Sequence, residues 1–422
     1  MIDLFSGVTN LMTRRRLEGL RFSELQPEPP KSKNLGLYVH IPFCRIPCPY
    51  CPYTRYPWKP QKEKPYVEAV KKEISIYHDL LPGVKIDSLY IGGGTPTVMI
   101  DGLARIIEHI RSSFSLDGDI SIEANPDDLN QTAIDKLHRI GVSKISLGVQ
   151  SFKDNILRAI GRRSHNGDEA FEALKLAAAS GFDCVNADLM FFLPSQSISD
   201  IVDDLEMAVK AGAPQITTYP LLLFPYAKVS RDVKSGRLTL PPAGQEKAMY
   251  REIVKFLTSN GYEMCTVWSF SRQGVDKYGS VERSEYIGVG AGAISVTNEC
   301  TYTNTHSVDE YIKAVDRGLP VAVGVKSSKP PLGKWVMMRL YEMGFTQAQF
   351  IQAFGEEAEA DLKRMLRPFR LLGIIDLDGG DVRVTPQGVY PVYQMTKTFL
   401  TTYIARLCEE CLKNPWPKEF TI

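Results

Sequence analysis

Residues 37–51 have the sequence LYVHIPFCRIPCPYC, which is the most informative segment for predicting the fold. An apolar run typical of a buried strand leads into three cysteines, Cys44, Cys48 and Cys51, spaced C-x3-C-x2-C. The two prolines between them favour a loop, so the three thiolates can face one bound group. Structural zinc takes four protein ligands, and no fourth Cys or His follows at zinc-finger spacing. Cysteine thiolates hold [4Fe-4S] clusters, and three of them leave one iron open, so the spacing favours a cluster.

The composition places the chain among ordinary globular proteins. A disulfide in the loop would leave one thiol unpaired and is typical of small secreted domains. With eight cysteines in 422 residues and no signal peptide, we expect a reducing cytoplasm instead. A formal net charge of +1 provides no field for nucleic acid, and no apolar run reaches the roughly 18 residues that span a bilayer. We therefore expect neither a nucleic-acid partner nor a membrane span.

From residue 35 the chain alternates strand and helix patterns. The strand patterns fall at 36–41, 87–91, 119–124, 144–149, 184–191 and 215–221, and the helix patterns at 65–80, 101–113, 130–140, 168–180, 199–211 and 244–259. Six such units predict an α/β fold with a parallel sheet covered by helices. Six are too few for a closed eightfold barrel, which favours a partial (β/α)6 TIM-like barrel over a doubly wound sheet. In both architectures the reacting groups lie at the carboxyl ends of the strands.

The predicted domain organisation has four parts. They are an N-terminal extension over 1–34, the partial barrel over 35–260, a connecting sheet and loop region over 261–326, and a C-terminal helical domain over 327–422. The basic run Arg14–Arg16 indicates a small amphipathic cap within the extension. Helix patterns followed by a hairpin at 371–386, with its turn at Asp378–Asp381, resemble a winged helix. Because this region mixes both charge signs, a packing role is favoured over nucleic-acid reading.

Several further motifs resemble those of radical S-adenosylmethionine (SAM) enzymes, and more narrowly the branch of oxygen-independent coproporphyrinogen III oxidase and its relatives. The motifs are the cysteine loop after YVHIPF, GGGTP at 92–96, IEANP at 122–126, LGVQSF at 147–152, IGRR at 160–163 and NADLM at 186–190, with a weaker match at 286–295. The resemblance covers about residues 35–300 and, more loosely, the C-terminal region. It implies a [4Fe-4S] cluster, one or two molecules of SAM, and an electron donor such as flavodoxin or ferredoxin.

The resemblance also implies which residues form the site. Cys44, Cys48 and Cys51 would each bind one iron and serve catalysis through the cluster, leaving the fourth iron to SAM. The residues implied to bind SAM are Tyr38, Tyr50, Gly92, Gly93, Gly94, Thr95, Glu123, Gln150, Arg162 and Asp188. Burying a charged Asp188 in an apolar strand is costly without a partner, so an ion pair with Arg162 that only fixes the barrel is an alternative.

Two sequence features near the proposed site allow more than one interpretation. His40 is predicted either beside the cluster or as an ordinary buried histidine. Cys408 and Cys411, three residues apart on a helix pattern, fit ordinary packing better than a second metal site. The apolar run 221–224 and the glycine-dense turn 288–292 indicate a pocket for a flat or greasy molecule.

The final reaction is less sharply implied than the cofactors. The oxidase of this branch has a further cysteine where this chain has Tyr53, and its haem chaperones carry His-Asn-x-x-Tyr-Trp where this chain has VDKYGS at 275–280. By contrast, YPLLLFPY at 219–226, YGSV at 278–281 and NT at 304–305 look closer to methyltransferases and cyclopropanating enzymes that bind two SAM molecules, and to anaerobic haem-opening methyltransferases.

That closer likeness implies transfer of a methyl or methylene carbon to an sp2 carbon of an aromatic, alkene or porphyrin substrate. Porphyrin oxidation and haem delivery by a chaperone are the alternatives.

Overall fold

Six parallel strands, each followed by a helix, form the centre of the computed structural model, which describes residues 20–279, 285–326 and 332–422. The strands are Asn34–Ile41, Lys85–Gly93, Ile120–Ala124, Lys144–Gln150, Cys184–Phe191 and Gln215–Pro220. The helices that follow them are Pro60–Leu80, Ile100–Ser113, Gln131–Arg139, Gly167–Ala178, Ile198–Lys210 and Ala243–Ser259. Neighbouring strands pair in chain order, which confirms the α/β partial barrel. The predicted N-terminal cap lies outside the described residues.

Strands at both edges extend the barrel sheet without closing it. At one edge the sixth strand pairs antiparallel with Ser269–Arg272, which pairs in turn with Tyr262–Met264. At the other edge Tyr286–Val289 pairs in parallel with the first strand. The sheet then continues through Ile294–Val296, Cys300–Asn304, Val321–Lys326, Arg21–Ser23 and Glu419–Thr421. Residues 262–264 and 269–272 of the predicted connecting region therefore belong to the sheet.

The helices pack on the sheet through stripes of apolar residues. In helix Ile100–Ser113 the residues Leu103, Ile106, Ile107 and Ile110 are fully buried, and their spacing of three and four places them on one face. Each such side chain contributes about 1.5–3 kcal/mol on burial. Other short elements are the strands Phe43–Cys44, Tyr56–Pro57 and Ser115–Leu116 and the helices Asp154–Ala159, Lys228–Lys234 and Val308–Ala314.

The C-terminal part contains three helices and a small sheet, as the winged-helix pattern predicts. The helices are Leu332–Tyr341, Gln347–Phe354 and Glu359–Leu371, and the sheet comprises Gly344–Phe345, Ile375–Asp378 and Asp381–Val384. Asp378 pairs with Asp381 across the predicted turn. A longer helix follows, made of Val389–Phe399, a π-helical turn at Leu400–Ile404, and Ala405–Lys413. In the described ranges no helix combines the length and apolarity needed to cross a membrane.

A buried carboxylate joins the first barrel helix to the edge of the sheet. Glu73 is fully buried and accepts hydrogen bonds from the Gly290 N–H at 2.8 Å, the Asn304 amide at 2.7 Å and the Tyr311 hydroxyl at 2.6 Å. Burial raises the pKa of Glu73 to about 7, while these three donors act in the opposite direction. One side chain therefore links four elements that are distant in the sequence.

Replacing Glu73 should destabilise the fold without touching the barrel mouth. In Glu73→Ala three buried donors lose their acceptor, so the free energy of unfolding should fall by roughly 2–4 kcal/mol. Urea unfolding of the full chain measures this loss. The control is Glu68→Ala on the same helix, whose half-exposed carboxylate makes only long surface contacts, and it should change stability by less than about 0.5 kcal/mol. Equal losses in both variants would contradict the assigned role.

Candidate active site

The segment that carries the three cysteines is anchored on all sides. The backbone N–H groups of Gly94 and Thr95 donate to the carbonyls of Ile41 and Phe43, each at 2.8 Å. The Tyr226 hydroxyl donates to the Pro52 carbonyl at 2.8 Å. We call residues 44–51 the cysteine loop. These bonds fix it at the carboxyl ends of the first two strands.

Two glycines let the second strand approach this loop closely. A methyl group at Gly94 would lie 2.7 Å from the Phe43 carbonyl oxygen and 3.0 Å from the Cys44 sulfur. Gly93 adopts φ +117°, and a methyl group there would lie 2.7 Å from the His40 ring. The glycine-rich motif therefore allows the strand end to pack directly under the cysteines, which a side chain would prevent.

A cavity of about 330 Å3 opens beside the cysteine loop at the carboxyl ends of the strands. We call it the central cavity. Most of the predicted site residues line it: Cys44, Cys48, Cys51, Tyr50, Gly93, Gly94, Thr95, Glu123, Gln150, Arg162 and Asp188. Residues from five of the six barrel strands or the turns after them therefore meet at one place, where the architecture predicts the reacting groups.

The carboxylates of the central cavity are partly buried and hydrogen-bonded. Glu123 accepts from the Tyr90 hydroxyl at 2.6 Å and from the Gly93 N–H at 3.0 Å, and burial raises its pKa. Asp188 accepts from the Asn186 amide at 2.8 Å. Burial raises the pKa of Asp188 to about 7, and the charge of Glu123 acts in the same direction. Two partly buried acids, one of which disfavours the charge of the other, suit a cationic ligand.

Arg162 connects the cysteine loop to the barrel. Its Nη1 donates to the Cys48 sulfur at 3.0 Å, and its Nη2 donates to the Gly148 carbonyl at 2.6 Å and to Asn125 Oδ1 at 2.8 Å. Its Nε is buried and has no partner among the described residues, although the side chain lines the cavity. A bound acceptor would satisfy that donor. In the described part of the chain Arg162 forms no ion pair with Asp188, so the purely structural alternative is not what fixes the barrel.

Some residues that the sequence indicated for the site or its pocket do not line the central cavity. Tyr38 and Gly92 do not line it, and the Tyr38 hydroxyl instead lies 2.7 Å from His40 Nδ1. His40 Nε2 lies 3.1 Å from the Thr54 carbonyl, so Nε2 carries the proton and the ring is an ordinary buried histidine. Burial lowers the pKa of His40 to about 4. The turn 288–292 packs against Tyr66 and Glu73 rather than on a pocket, so that part of the pocket prediction was wrong.

Several other residues line the cavity that the sequence motifs did not indicate as site residues. They are chiefly aromatic or come from the C-terminal helix: Tyr90, Trp268, Tyr341, Leu400, Ile404 and Cys408. Tyr90 lies two positions before Gly92 on the second strand, and this position next to the glycine motif could have indicated that Tyr90 lines the cavity. The others are brought in by long-range packing. Cys408, predicted to be an ordinary packing residue, lines the cavity.

The donor set fits a cluster better than a single metal ion. Within the described ranges no three His, Cys, Asp or Glu side chains converge as ligands of one ion would. A cubane cluster binds each thiolate to a different iron, so its ligands surround a volume instead of meeting at a point. Burial raises the pKa of Cys44 to about 12 and that of Cys51 to about 11, so both thiols would lose their protons only when iron binds.

An open parallel barrel with three cysteines at its mouth defines an iron–sulfur enzyme architecture, and comparison with known proteins identifies it. The family model of the radical SAM superfamily matches residues 38–208. The haem chaperone HemW of Haemophilus influenzae is 30% identical over 63% of this chain and 70% of its own length. HemW of Bacillus subtilis is 28% identical over 83% of this chain and 95% of its own length.

The chain belongs to the radical SAM superfamily and, within it, to the HemN/HemW type. The oxygen-independent coproporphyrinogen III oxidase of Escherichia coli is 26% identical over 84% of this chain and 82% of its own length. A solved structure of the E. coli oxidase HemN superposes with a TM-score of 0.76, covering 93% of this chain and 98% of that one at 23% identity, which establishes the shared fold. The cofactors of the family are a [4Fe-4S] cluster and SAM.

Loss of one loop cysteine should abolish cluster binding. After anaerobic reconstitution with iron and sulfide, the wild type should contain about four irons per chain, and Cys48→Ala should retain less than about one, since two thiolates cannot hold the cluster. Iron and sulfide analysis with the visible spectrum measures this. The control, Cys265→Ser, changes a half-buried cysteine that does not line the cavity, and it should bind iron like the wild type. Full iron content in Cys48→Ala would refute the ligand assignment.

The affinity for SAM should depend on pH through Asp188. Below pH 7 the ligand-free carboxyl is protonated, so it must lose a proton before it can accept as a carboxylate. The dissociation constant for SAM should therefore fall between pH 6 and 8, by at most about tenfold per pH unit. Calorimetry on cluster-loaded protein tests this. Asp188→Asn should bind SAM more weakly at pH 8 and show a flat profile, and a profile unchanged from the wild type would count against the role of Asp188.

Proposed function

We propose that this chain binds haem or a porphyrin in the central cavity beside SAM and acts on it by radical chemistry. The observation that carries the proposal is that one cavity unites two unlike halves. The cysteine loop, Glu123, Asp188 and Arg162 form the polar half. Leu221, Leu222, Phe224, Leu400 and Ile404 form the apolar half. A cavity lined by a few charged groups together with an apolar wall suits a charged cofactor beside a flat apolar substrate.

Different residues of the polar half would bind the cluster and SAM. Cys44, Cys48 and Cys51 would hold three irons, and the buried Arg162 would place a permanent positive charge beside one sulfur. Glu123 and Asp188 would accept hydrogen bonds from the hydroxyl or amino groups of SAM, whose sulfonium is cationic. When bound and reduced, the cluster supplies a 5′-deoxyadenosyl radical by cleaving SAM. The electron would come from an external donor such as flavodoxin or ferredoxin.

The relatives favour a tetrapyrrole over the one-carbon transfer that the sequence motifs implied. The relatives compared above are haem chaperones and coproporphyrinogen oxidases, and methyl transfer has no counterpart among them. Tyr219, Leu221 and Phe224, from the motif that indicated methyl transfer, line the cavity, which suits any flat substrate equally well. Tetrapyrrole processing is therefore our first choice.

A haem chaperone is the second candidate. It is favoured by the HemW relative that matches over 95% of its length. Against both specific activities stand the departures at Tyr53 and at 275–280. Tyr53 lines the cavity where the oxidase carries a further cysteine. Tyr278, at the stretch where the chaperone motif falls, also lines the cavity and donates to Tyr90 at 3.0 Å.

Titration of cluster-loaded protein with haem and with coproporphyrinogen, followed by product analysis, tests the proposal. Binding of either tetrapyrrole with a dissociation constant at or below about 10 μM is expected, together with formation of 5′-deoxyadenosine that depends on it. Carbon dioxide without S-adenosylhomocysteine would identify an oxidase. Stable haem capture with slow SAM cleavage would identify a chaperone. S-adenosylhomocysteine with a methylated product would restore one-carbon transfer, and failure to bind either tetrapyrrole would refute the proposal.

A further inference from the structure

The helix over residues 389–413, which we call the C-terminal helix, presents two adjacent stripes to two different parts of the molecule, and Ile404 packs against both parts. Leu400, Ile404 and Cys408 line the central cavity, and we call them the inner face. The outer face consists of Tyr403, Leu407 and Cys411, which pack against the edge strands through residues such as Phe22 and Val323. Residues four apart lie on one side of a helix, so each trio forms a stripe.

The inner face shares an apolar cluster with the cysteine loop. Leu400, Ile404 and Ala405 belong to one apolar cluster together with Cys48 and Tyr50. The same cluster contains Leu221 and Phe224 from the end of the sixth barrel strand. The inner face therefore lines the apolar half of the cavity together with residues beside the cysteine loop, although Leu400 lies 349 positions after Cys51 in the sequence.

Two features fix this helix at the cavity. The outer face packs on strand Arg21–Ser23, which pairs with Glu419–Thr421 just after the helix. On the inner side, the Tyr226 hydroxyl interacts with the Cys408 thiol and also donates to the Pro52 carbonyl beside the cysteine loop. The inner stripe begins in the π-helical turn Leu400–Ile404, and such turns are rare and frequently occur at functional sites.

We propose that Leu400, Ile404 and Cys408 form the substrate wall of the central cavity and decide which flat molecule fits beside SAM. This inference rests on the proposed function for the identity of the occupant, a macrocycle with apolar faces. The carboxylates and the arginine come from the barrel, so SAM takes the barrel side and the substrate takes the helix side. Cys408 contributes a soft, weakly polar atom to a wall that is otherwise aliphatic. These three side chains are therefore specificity-determining residues.

The first test is the binding of protoporphyrin IX and of SAM to full-length, cluster-loaded variants. Ile404→Trp fills the wall with an indole, so the dissociation constant for protoporphyrin IX should rise about tenfold or more, while that for SAM stays within about twofold. Ile404→Ala, which enlarges the cavity and does not overfill it, should bind a bulkier porphyrin better relative to protoporphyrin IX. The matched control is Cys411→Ala on the outer face, which should leave both affinities within about twofold of the wild type. Unchanged porphyrin affinity in Ile404→Trp would overturn the inference.

The second test needs no porphyrin and compares two cysteines of the same helix. Cluster-loaded wild type is treated with N-ethylmaleimide, and labelling is mapped by mass spectrometry. Cys408 borders the cavity and Cys411 is 1% exposed on the outer face, so Cys408 should react about tenfold faster. Ile404→Trp should slow the labelling of Cys408 alone. Equal labelling rates for the two cysteines would refute the assignment of Leu400, Ile404 and Cys408 to the substrate wall. If the wild type binds no tetrapyrrole but Cys408 is labelled faster than Cys411, the proposed function is refuted, whereas the assignment of the substrate wall stands.

Discussion

The structure depends on one constraint, which is that three thiols on a short loop must surround a volume at the mouth of an open barrel. The loop has almost no regular structure of its own. Its geometry is imposed by backbone hydrogen bonds to the ends of the first two strands, by the absence of a side chain at Gly94, and by the contact of Arg162 with Cys48. Three thiolates and four irons leave one iron for another ligand, and the surrounding cavity is arranged to receive it.

The parallel barrel explains why so few residues suffice for the polar half of the site. Each strand ends at the same edge of the sheet, so single residues from successive units meet there although tens of residues separate them in sequence. Glu123 lies close enough to Asp188 for its charge to help raise the pKa of Asp188. Their protonation therefore responds to the arrival of a cation, and this couples cofactor binding to the electrostatics of the barrel mouth.

The sequence predicted the barrel well because strand and helix periodicities are local. All six strands and their helices form at nearly the expected positions. The polar site was also largely predictable, since motif residues such as Gln150 and Arg162 follow strand ends. Tyr38 and Gly92 do not line the cavity, because the Tyr38 side chain is directed to His40 and the side chains of Tyr90 and Glu123 cover Gly92, and the motifs do not specify either arrangement. The inner face of the C-terminal helix could not be predicted, because its contact with the cysteine loop arises from tertiary packing across most of the chain. Cys408 and Cys411 look alike in sequence, and only the rotation of the helix separates their roles.

The central claim is that the cysteine loop leaves one iron open and that SAM occupies it. Electron–nuclear double resonance on the reduced, reconstituted protein with SAM labelled with 15N at the amino group measures this directly. We expect a hyperfine coupling between the cluster and the labelled nitrogen, because the amino group would bind the open iron. SAM that binds by calorimetry without any such coupling would contradict the account.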